Sequence, residues 1–163
     1  MIFVTVGTDH HQFNRLIQAI DIANINGKID QKIFMQIGLN SVEPISCSFG
    51  RLLAPEEMEY YYKNSTLIVC QAGPGTIFNS LKHGKKPIVI PRDPKYGEVI
   101  DDHQLKFAKH FESKGLIHSF FSTDALINNL SDPIYHKSTS MFNFRNAEFS
   151  KDLDNVIKNL FDV

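Results

Sequence analysis

The sequence has little of several features that would assign it quickly to a functional class. Its 163 residues include no tryptophan and only two cysteines, Cys47 and Cys70, both in apolar, strand-like surroundings. Two cysteines cannot supply the several disulfides on which small secreted proteins depend, so we expect a reducing, cytoplasmic setting. The formal net charge of −1, without any run of basic residues, argues against a broad nucleic-acid-binding face. We therefore expect no nucleic-acid partner.

Long hydrophobic runs are also missing. Residues 64–81 carry no formal charge, but they include Asn64, Gln71 and Asn79 and two glycines. They therefore fail the requirement for a span of about 20 predominantly apolar residues. The opening MIFVTVGTD lacks the positive flank and the long apolar region of a signal peptide. We expect a chain that neither crosses a membrane nor carries a leader.

The sequence does contain a regular alternation of apolar strands and amphipathic helices. Strands are predicted at residues 2–6, 32–37, 46–53, 67–70, 87–90 and in the segment LIHSF. Helices are predicted after residue 13, from residue 55, at about 75–83, from 101 or 102 to 114, at 122–130 and at 141–163. Alternation of this kind predicts an α/β fold, with a Rossmann-like parallel sheet covered by helices on both faces. We expect one domain over residues 1–163.

Two glycine-containing loops follow strands of this predicted sheet. VGTDHHQF follows the first strand, and QAGPGT follows the fourth strand and opens the next helix. Ligands of such folds bind beyond the carboxyl ends of the strands, where helix N-termini present unpaired N–H groups. Gly7, Gly73 and Gly75 would let a phosphate or sugar approach those amides, and Thr8 and Thr76 would add hydroxyl donors. Neither loop matches the dinucleotide or P-loop pattern, so the glycines alone do not identify the ligand.

A longer ordered motif is more specific. The stretch AGPGTIFNSLKHGKKPIVIPRDPKYGEVIDDHQLKFAKHFESKG resembles the C-terminal, donor-binding domain of glycosyltransferase family 28. That domain has a small-residue turn, a helix ending in Gly-Lys-Pro, an apolar strand ending in proline, and Asp-Asp-His-Gln or Asn-His-Gln opening the next helix. IFVTVGTDHHQFNRLIQAI resembles the opening strand and loop of the family. The resemblance covers about residues 1–120 and implies the C-terminal half of a GT-B glycosyltransferase.

The resemblance also implies which residues bind the donor: Gly7, Thr8, Gly73, Pro74, Gly75, Thr76, Asn79, His103 and Gln104. The first two match one phosphate-side loop, the next four match a second, and the last two match a pair that faces the donor sugar. Asn79 stands where the family usually has a glutamate that accepts hydrogen bonds from both ribose hydroxyls. An amide loses the charge-assisted part of those bonds. Gln71 and Val99 replace histidines of the family pattern.

Family members of this length work as one half of a two-chain enzyme in oligosaccharide, capsule or exopolysaccharide synthesis. The resemblance therefore implies a UDP-sugar-binding subunit of an inverting glycosyltransferase that acts on a lipid-linked saccharide. It implies a membrane-associated partner that binds the acceptor and recruits this chain to the cytoplasmic membrane face. No cofactor or metal is implied, and the general base is expected on the partner. The predicted helix at 141–163 could complete the core of this domain or pack against that partner.

Two other functions stay open. A hydrolase metal site could form beyond the sheet from Asp9, His10, His11, Asp101, Asp102 and His103, since oxygen and imidazole ligands suit such metals. No tight ligand spacing such as H-E-x-x-H supports it, and Asp101 and Asp102 equally fit a helix-capping role. The chain could also be a non-catalytic nucleotide-binding module. Structural roles are expected for His83, His110, His118, His136, Tyr60, Tyr61 and Tyr62.

Overall fold

A computed structural model describes residues 1–137 of the chain. Its strands are β1 (Ile2–Thr5), β2 (Ile33–Gln36), β3 (Ser48–Gly50), β4 (Leu67–Cys70), β5 (Ile88–Val89) and β6 (His118–Ser119). Its α-helices are α1 (Asn14–Ile25), α2 (Pro55–Asn64), α3 (Pro74–Lys82), α4 (His103–Ser113) and α5 (Thr123–Asn129), with 3₁₀ turns at Pro94–Tyr96 and Pro133–His136. The helix predicted at 141–163 lies outside the described residues, so its packing stays a prediction.

The six strands form one parallel sheet in the order β3-β2-β1-β4-β5-β6. Thr5 at the end of β1 lies opposite Gln36 on one side and Cys70 on the other, so the three central strands end level with one another. The strand order reverses between β1 and β4, as at the switch point of a doubly wound fold. The predicted Rossmann-like sheet is confirmed, and both glycine loops leave it at this switch point.

Helices cover both faces of the sheet because alternate strand residues point to opposite sides. Ile2 and Val4 pack into a cluster with α1 and α5, whereas Phe3 packs into a second cluster with α2, α3 and α4. The Phe3 ring stacks on Tyr61 with centroids 5.1 Å apart and meets the edge of Tyr62 at 5.5 Å. The packing role predicted for the tyrosines is confirmed for these two. Within residues 1–137, no helix has the length and apolarity needed to cross a membrane.

Strand β3 is shorter than the sequence pattern predicts. The backbone N–H groups of Ser46 and Cys47 donate to Oδ1 of Asp21 at 2.8 and 3.2 Å, and that of Ile45 donates to Oδ2 at 2.7 Å. The carboxylate thus takes donors that a longer strand would direct to β2. Burial raises the pKa of Asp21, but these hydrogen bonds outweigh it and hold the pKa below its ordinary value.

A buried glutamine holds the first loop to the sheet. Gln36 accepts from the Thr5 hydroxyl at 2.6 Å, and its Nε2 donates to the carbonyl oxygens of Gly7 at 3.0 Å and Arg51 at 2.9 Å. Gly38, which has a φ of +57°, lies so close that a Cβ there would overlap the Gly7 oxygen. The Gly7 carbonyl is therefore fixed from two sides.

This close approach predicts a difference between two glycines that both have positive φ. Gly27 has a φ of +67° and nothing within 4 Å of a Cβ, so Gly27→Ala should lower the free energy of unfolding only by about 1 kcal/mol. Gly38→Ala adds a backbone overlap and should lower it by roughly 2 kcal/mol more. Urea denaturation of both variants measures the difference. Equal losses of unfolding free energy in the two variants would show that the Gly7 loop moves away from the added Cβ without an energetic cost.

Candidate functional site

A cleft of about 570 Å³ opens where β1 and β4 end. We refer to it as the main cleft. It is lined by Thr5, Gly7, Thr8, Gln36, Leu52, Leu53, Met58, Tyr62, Gln71, Gly73, Pro74, Gly75, Thr76 and Asn79. The donor-binding residues predicted from Gly7 through Asn79 all belong to this lining.

The remaining two predicted residues lie in a neighbouring pocket of about 220 Å³, the side pocket. It is lined by Ala72, Gly73, Pro74, Val99, Asp101, His103, Gln104 and Phe107. Gly73 and Pro74 belong to both linings. The structure therefore arranges the predicted site as two adjoining compartments that share one short segment of the loop after β4.

The main cleft is uncharged. Among the described residues, no lining side chain carries a formal charge. The lining combines the two glycine loops, which include Thr8 and Thr76, with the apolar side chains of Leu52, Leu53 and Met58. An anion bound there would depend on backbone N–H groups and neutral side-chain donors rather than on a lysine or arginine.

Helix α3 supplies such backbone donors. It begins at Pro74, which has no N–H, and its N-cap, Gly73, has no side chain to bond the first turn. Ile77 N donates to the Gly73 oxygen at 3.1 Å, but the N–H groups of Gly75 and Thr76 make no hydrogen bond within residues 1–137. Unpaired donors at the positive end of a helix favour a bound anion.

Two of the glycines in the site lie against a side chain of this chain. A Cβ on Gly73 would overlap Nε2 of Gln71 and lie 2.7 Å from its Oε1, and a Cβ on Gly7 would lie 2.8 Å from the same Nε2. The Gln71 carboxamide thus occupies the space beside both glycines. Gly75 differs, since nothing lies within 4 Å of its Cβ position. The space beside it is open, as expected for a glycine that lets a ligand approach the loop.

Gln104 has a structural role that the resemblance did not indicate. Its Oε1 accepts from the backbone N–H groups of Ala72 at 3.2 Å and Arg92 at 3.1 Å. Because both partners are donors, the amide must point its oxygen toward them. Gln104 therefore joins the loop after β4 to the segment after β5 while it lines the side pocket.

Next to it, His103 is held by Asp101. The carboxylate accepts from His103 N at 3.0 Å and lies 3.0 Å from Nδ1 of the same residue. The capping role predicted for Asp101 fits this first bond. Asp102 instead pairs with Lys106 one turn along α4, at 2.9 Å, and its side chain does not cap the helix.

The predicted metal cluster forms only in part. Asp9, His10 and His11 place their ligand atoms within 4.8 Å of one another. Within the described chain, Asp101 and His103 form a separate pair and do not join them. Burial raises the pKa of Asp9, but hydrogen bonds from His11 and the nearby Arg92 guanidinium outweigh it, so the pKa is lowered overall.

Arg92 is the principal structural residue of the site that carries no signal in the sequence. Its side chain is 1% exposed, and its Nη atoms donate to the carbonyl oxygens of Val6 at 3.0 Å, His11 at 2.7 Å and Glu98 at 3.2 Å. Desolvation lowers the pKa of the guanidinium, which the neighbouring carboxylates of Asp9 and Glu98 oppose. Arg92 thereby fastens both ends of the first glycine loop to the segment after β5.

Comparison with known proteins gives the family. The glycosyltransferase family 28 C-terminal domain matches residues 1–160. The chain belongs to this family. The membership expected from the ordered motif is therefore confirmed, and it extends beyond the residues that carried the resemblance.

Three relatives place this family 28 domain among known proteins. A UDP-N-acetylglucosamine transferase subunit from Kluyveromyces lactis is 34% identical over 94 residues, which are 57% of this chain and 46% of the relative. The chain thus spans less than half of that curated relative. The crystal structure of Acinetobacter baumannii MurG matches with a TM-score of 0.56 at 21% identity, over 81% of this chain and 40% of MurG. The structure of the glycotransferase of kitacinnamycin matches with a TM-score of 0.54 at 16% identity, over 99% of this chain and 40% of that chain. These two structures confirm the fold of a GT-B glycosyltransferase half.

The position of Gln104 predicts how its variants affect stability. Gln104→Leu removes the acceptor of two buried N–H groups and should lower the free energy of unfolding by about 1–3 kcal/mol. Gln104→Glu keeps an acceptor oxygen and should retain most of that stability. Gln18→Leu, on the exposed side of α1, is the matched control. Urea denaturation that gives the same loss for both leucine variants would contradict this role.

Proposed function

We propose that the chain is the UDP-sugar-binding part of a glycosyltransferase. The observation that carries this proposal is the placement of the implied donor-binding residues. They line an uncharged cleft at the switch point of a Rossmann sheet, next to a pocket that contains His103 and Gln104. The main cleft has a volume typical of small-molecule sites. Membership of family 28 supports the donor-binding assignment.

The two compartments bind different parts of the donor. The main cleft takes the nucleoside diphosphate, with the base against the apolar wall of Leu52, Leu53 and Met58 and the diphosphate against the free N–H groups of Gly75 and Thr76. Asn79 offers its amide to the ribose. The side pocket, which is smaller and holds His103, takes the sugar. No metal ion or cofactor takes part in this proposal.

The reaction is an inverting transfer. A hydroxyl oxygen of the acceptor bonds to the anomeric carbon as the bond from that carbon to the diphosphate breaks, and UDP leaves with the electron pair. The loop N–H groups and the dipole of α3 stabilise the negative charge that develops on the diphosphate. The proton of the acceptor hydroxyl passes to a general base, which we assign to the partner chain.

The acceptor half is supplied by a membrane-associated second chain that binds a lipid-linked saccharide, in polysaccharide or glycolipid synthesis. Two findings support this part of the proposal. The structural matches cover 40% of each solved glycosyltransferase, and the curated relative is described as a subunit. The chain would act at the cytoplasmic face of the membrane, where such a partner recruits it.

Gly75 tests the diphosphate position. Gly75→Val adds a branched side chain where nothing lies within 4 Å, so the fold should survive while the ligand is displaced. We expect the UDP affinity of Gly75→Val to fall by roughly 100-fold, because several hydrogen bonds to a charged group are lost. The affinity of Gly75→Ala should lie between those of Gly75→Val and the wild type. Isothermal titration calorimetry measures the affinity, and thermal unfolding controls for stability. Unchanged UDP affinity in folded Gly75→Val would remove this loop from the site.

The same titration separates the transferase from a metal-dependent hydrolase at Asp9, His10 and His11. Binding of UDP that is unaffected by EDTA is expected. Metal-dependent release of phosphate or sugar from a UDP-sugar, lost on His11→Ala, would favour the hydrolase instead.

Dependence on a partner gives a further expected outcome. The purified chain should bind UDP but transfer no sugar to a lipid-diphosphate acceptor, since its described residues supply no acceptor half. Addition of the partner chain, identified by co-purification, should produce transfer from one member of a UDP-sugar panel. Robust transfer by the isolated chain would contradict the two-chain proposal.

A further inference from the structure

His83 follows α3 directly and lies between that helix and α2. Its Nδ1 is 2.7 Å from the carbonyl oxygen of Asn79, and its Nε2 is 2.8 Å from Oε1 of Glu59. The ring also stacks on that of Tyr62, with centroids 6.0 Å apart. The imidazole thus bridges the last turn of α3 to the middle of α2.

The two partners of the ring determine the protonation that this bridge requires. A carbonyl oxygen can only accept, so Nδ1 donates to Asn79. A hydrogen bond from His83 lowers the pKa of the Glu59 carboxyl, and an ionised carboxylate also can only accept. Both ring nitrogens must therefore carry a proton, as they do in the imidazolium form. The neutral ring can donate only one of the two bonds.

The bridge joins two helices that both line the main cleft. Asn79 lines it from α3, whereas Met58 and Tyr62 line it from α2. His83 bonds the backbone of Asn79 and stacks on Tyr62, and its other partner, Glu59, follows Met58 in the chain. A change in the bridge would therefore shift α2 and α3 relative to each other at the cleft.

We propose that His83 is a positioning residue for the nucleoside part of the donor, and that its imidazolium form holds α2 and α3 in the arrangement that binds UDP. This inference rests on the proposed UDP-sugar function, in which the base lies against Met58 and the ribose at Asn79. His83 is not among the residues that line the main cleft, so it acts through the two helices. UDP therefore binds more tightly when both ring nitrogens are protonated.

The charged and titratable groups around His83 come from the same two helices. Glu59 and Tyr62 face the ring from α2, and burial raises the pKa of the Tyr62 phenol, which keeps it neutral. Lys82 Nζ lies 3.9 Å from the Glu59 oxygen that His83 contacts, and Lys63 adds a positive charge near the same carboxylate. Histidine is the side-chain type that ordinarily changes charge between about pH 5 and 8. The bridge is therefore complete toward the acid end of that range and loses one bond as the pH rises.

Glu59→Gln tests the bridge while keeping its shape. A glutamine amide can donate to the lone pair on Nε2 of a neutral ring, while Nδ1 still donates to Asn79. The bridge of this variant then needs no charge on His83. Between about pH 6 and pH 8, we expect the UDP affinity of the wild type to fall roughly fivefold more than that of Glu59→Gln, as for one lost hydrogen bond.

His83→Phe removes the bridge at every pH. The substituted ring can still stack on Tyr62 but donates neither hydrogen bond. Its UDP affinity at about pH 6 should be roughly fivefold below that of the wild type. Glu56→Gln removes the same charge as Glu59→Gln from an exposed position of α2 and should keep the pH dependence of the wild type.

Isothermal titration calorimetry with UDP at the two pH values provides the measurement, and urea denaturation at each pH shows that the variants are folded. Ionisation of UDP and of the other histidines affects all variants alike, so the difference between variants reports on His83. Equal changes of affinity with pH in the wild type and Glu59→Gln would overturn the inference, as would wild-type affinity of His83→Phe at the lower pH. Failure of the wild-type chain to bind UDP at either pH would instead refute the proposed function, and this inference with it.

Discussion

The geometry of the site depends on one buried cation, the guanidinium of Arg92. It lies under the first glycine loop and donates to the carbonyl oxygens of Val6 and His11, which are the two ends of that loop. Its own backbone N–H donates to Gln104, which also accepts from Ala72 in the second loop. A buried charge is costly unless its donors are paired, and here both Nη atoms are paired whereas Nε is buried without a hydrogen-bond partner among residues 1–137. Loops that leave three different strands are thereby held in one arrangement.

This network also bears on the proposed binding of a diphosphate in an uncharged cleft. The cation that fixes the first loop is 1% exposed and bonds to backbone oxygens, so it shapes the cleft without lining it. The groups presented to a ligand are backbone N–H groups, hydroxyls and amides. Such groups need no rearrangement when charge develops on a leaving diphosphate, which is the condition for electrostatic stabilisation of a transition state. Stabilisation of this kind requires loops that are held rigidly.

The loop after β4 separates the two compartments and belongs to both. Gly73 and Pro74 face the main cleft on one side and the side pocket on the other. A donor that spans the two compartments would cross this segment at its diphosphate, between the nucleoside and the sugar. Asp101, His103 and Gln104 bring the start of α4 against the same segment, so a shift of that helix would alter the side pocket and the loop together.

The sequence by itself determined the fold class and the family, because both depend on features that are local or ordered along the chain. Apolar periodicity located β4 at its observed residues and α3 within one residue, and one continuous motif carried the family resemblance. Only the tertiary structure decided what surrounds the glycines and what holds the loops. Gln71 fills the space beside Gly7, and Arg92 reaches Val6 from 86 residues away. Asp21 binds Ser46 N, so that β3 begins two residues later than the sequence pattern predicts. These contacts join residues that are distant in sequence, and a side chain's partner across such a distance has no periodic or compositional trace.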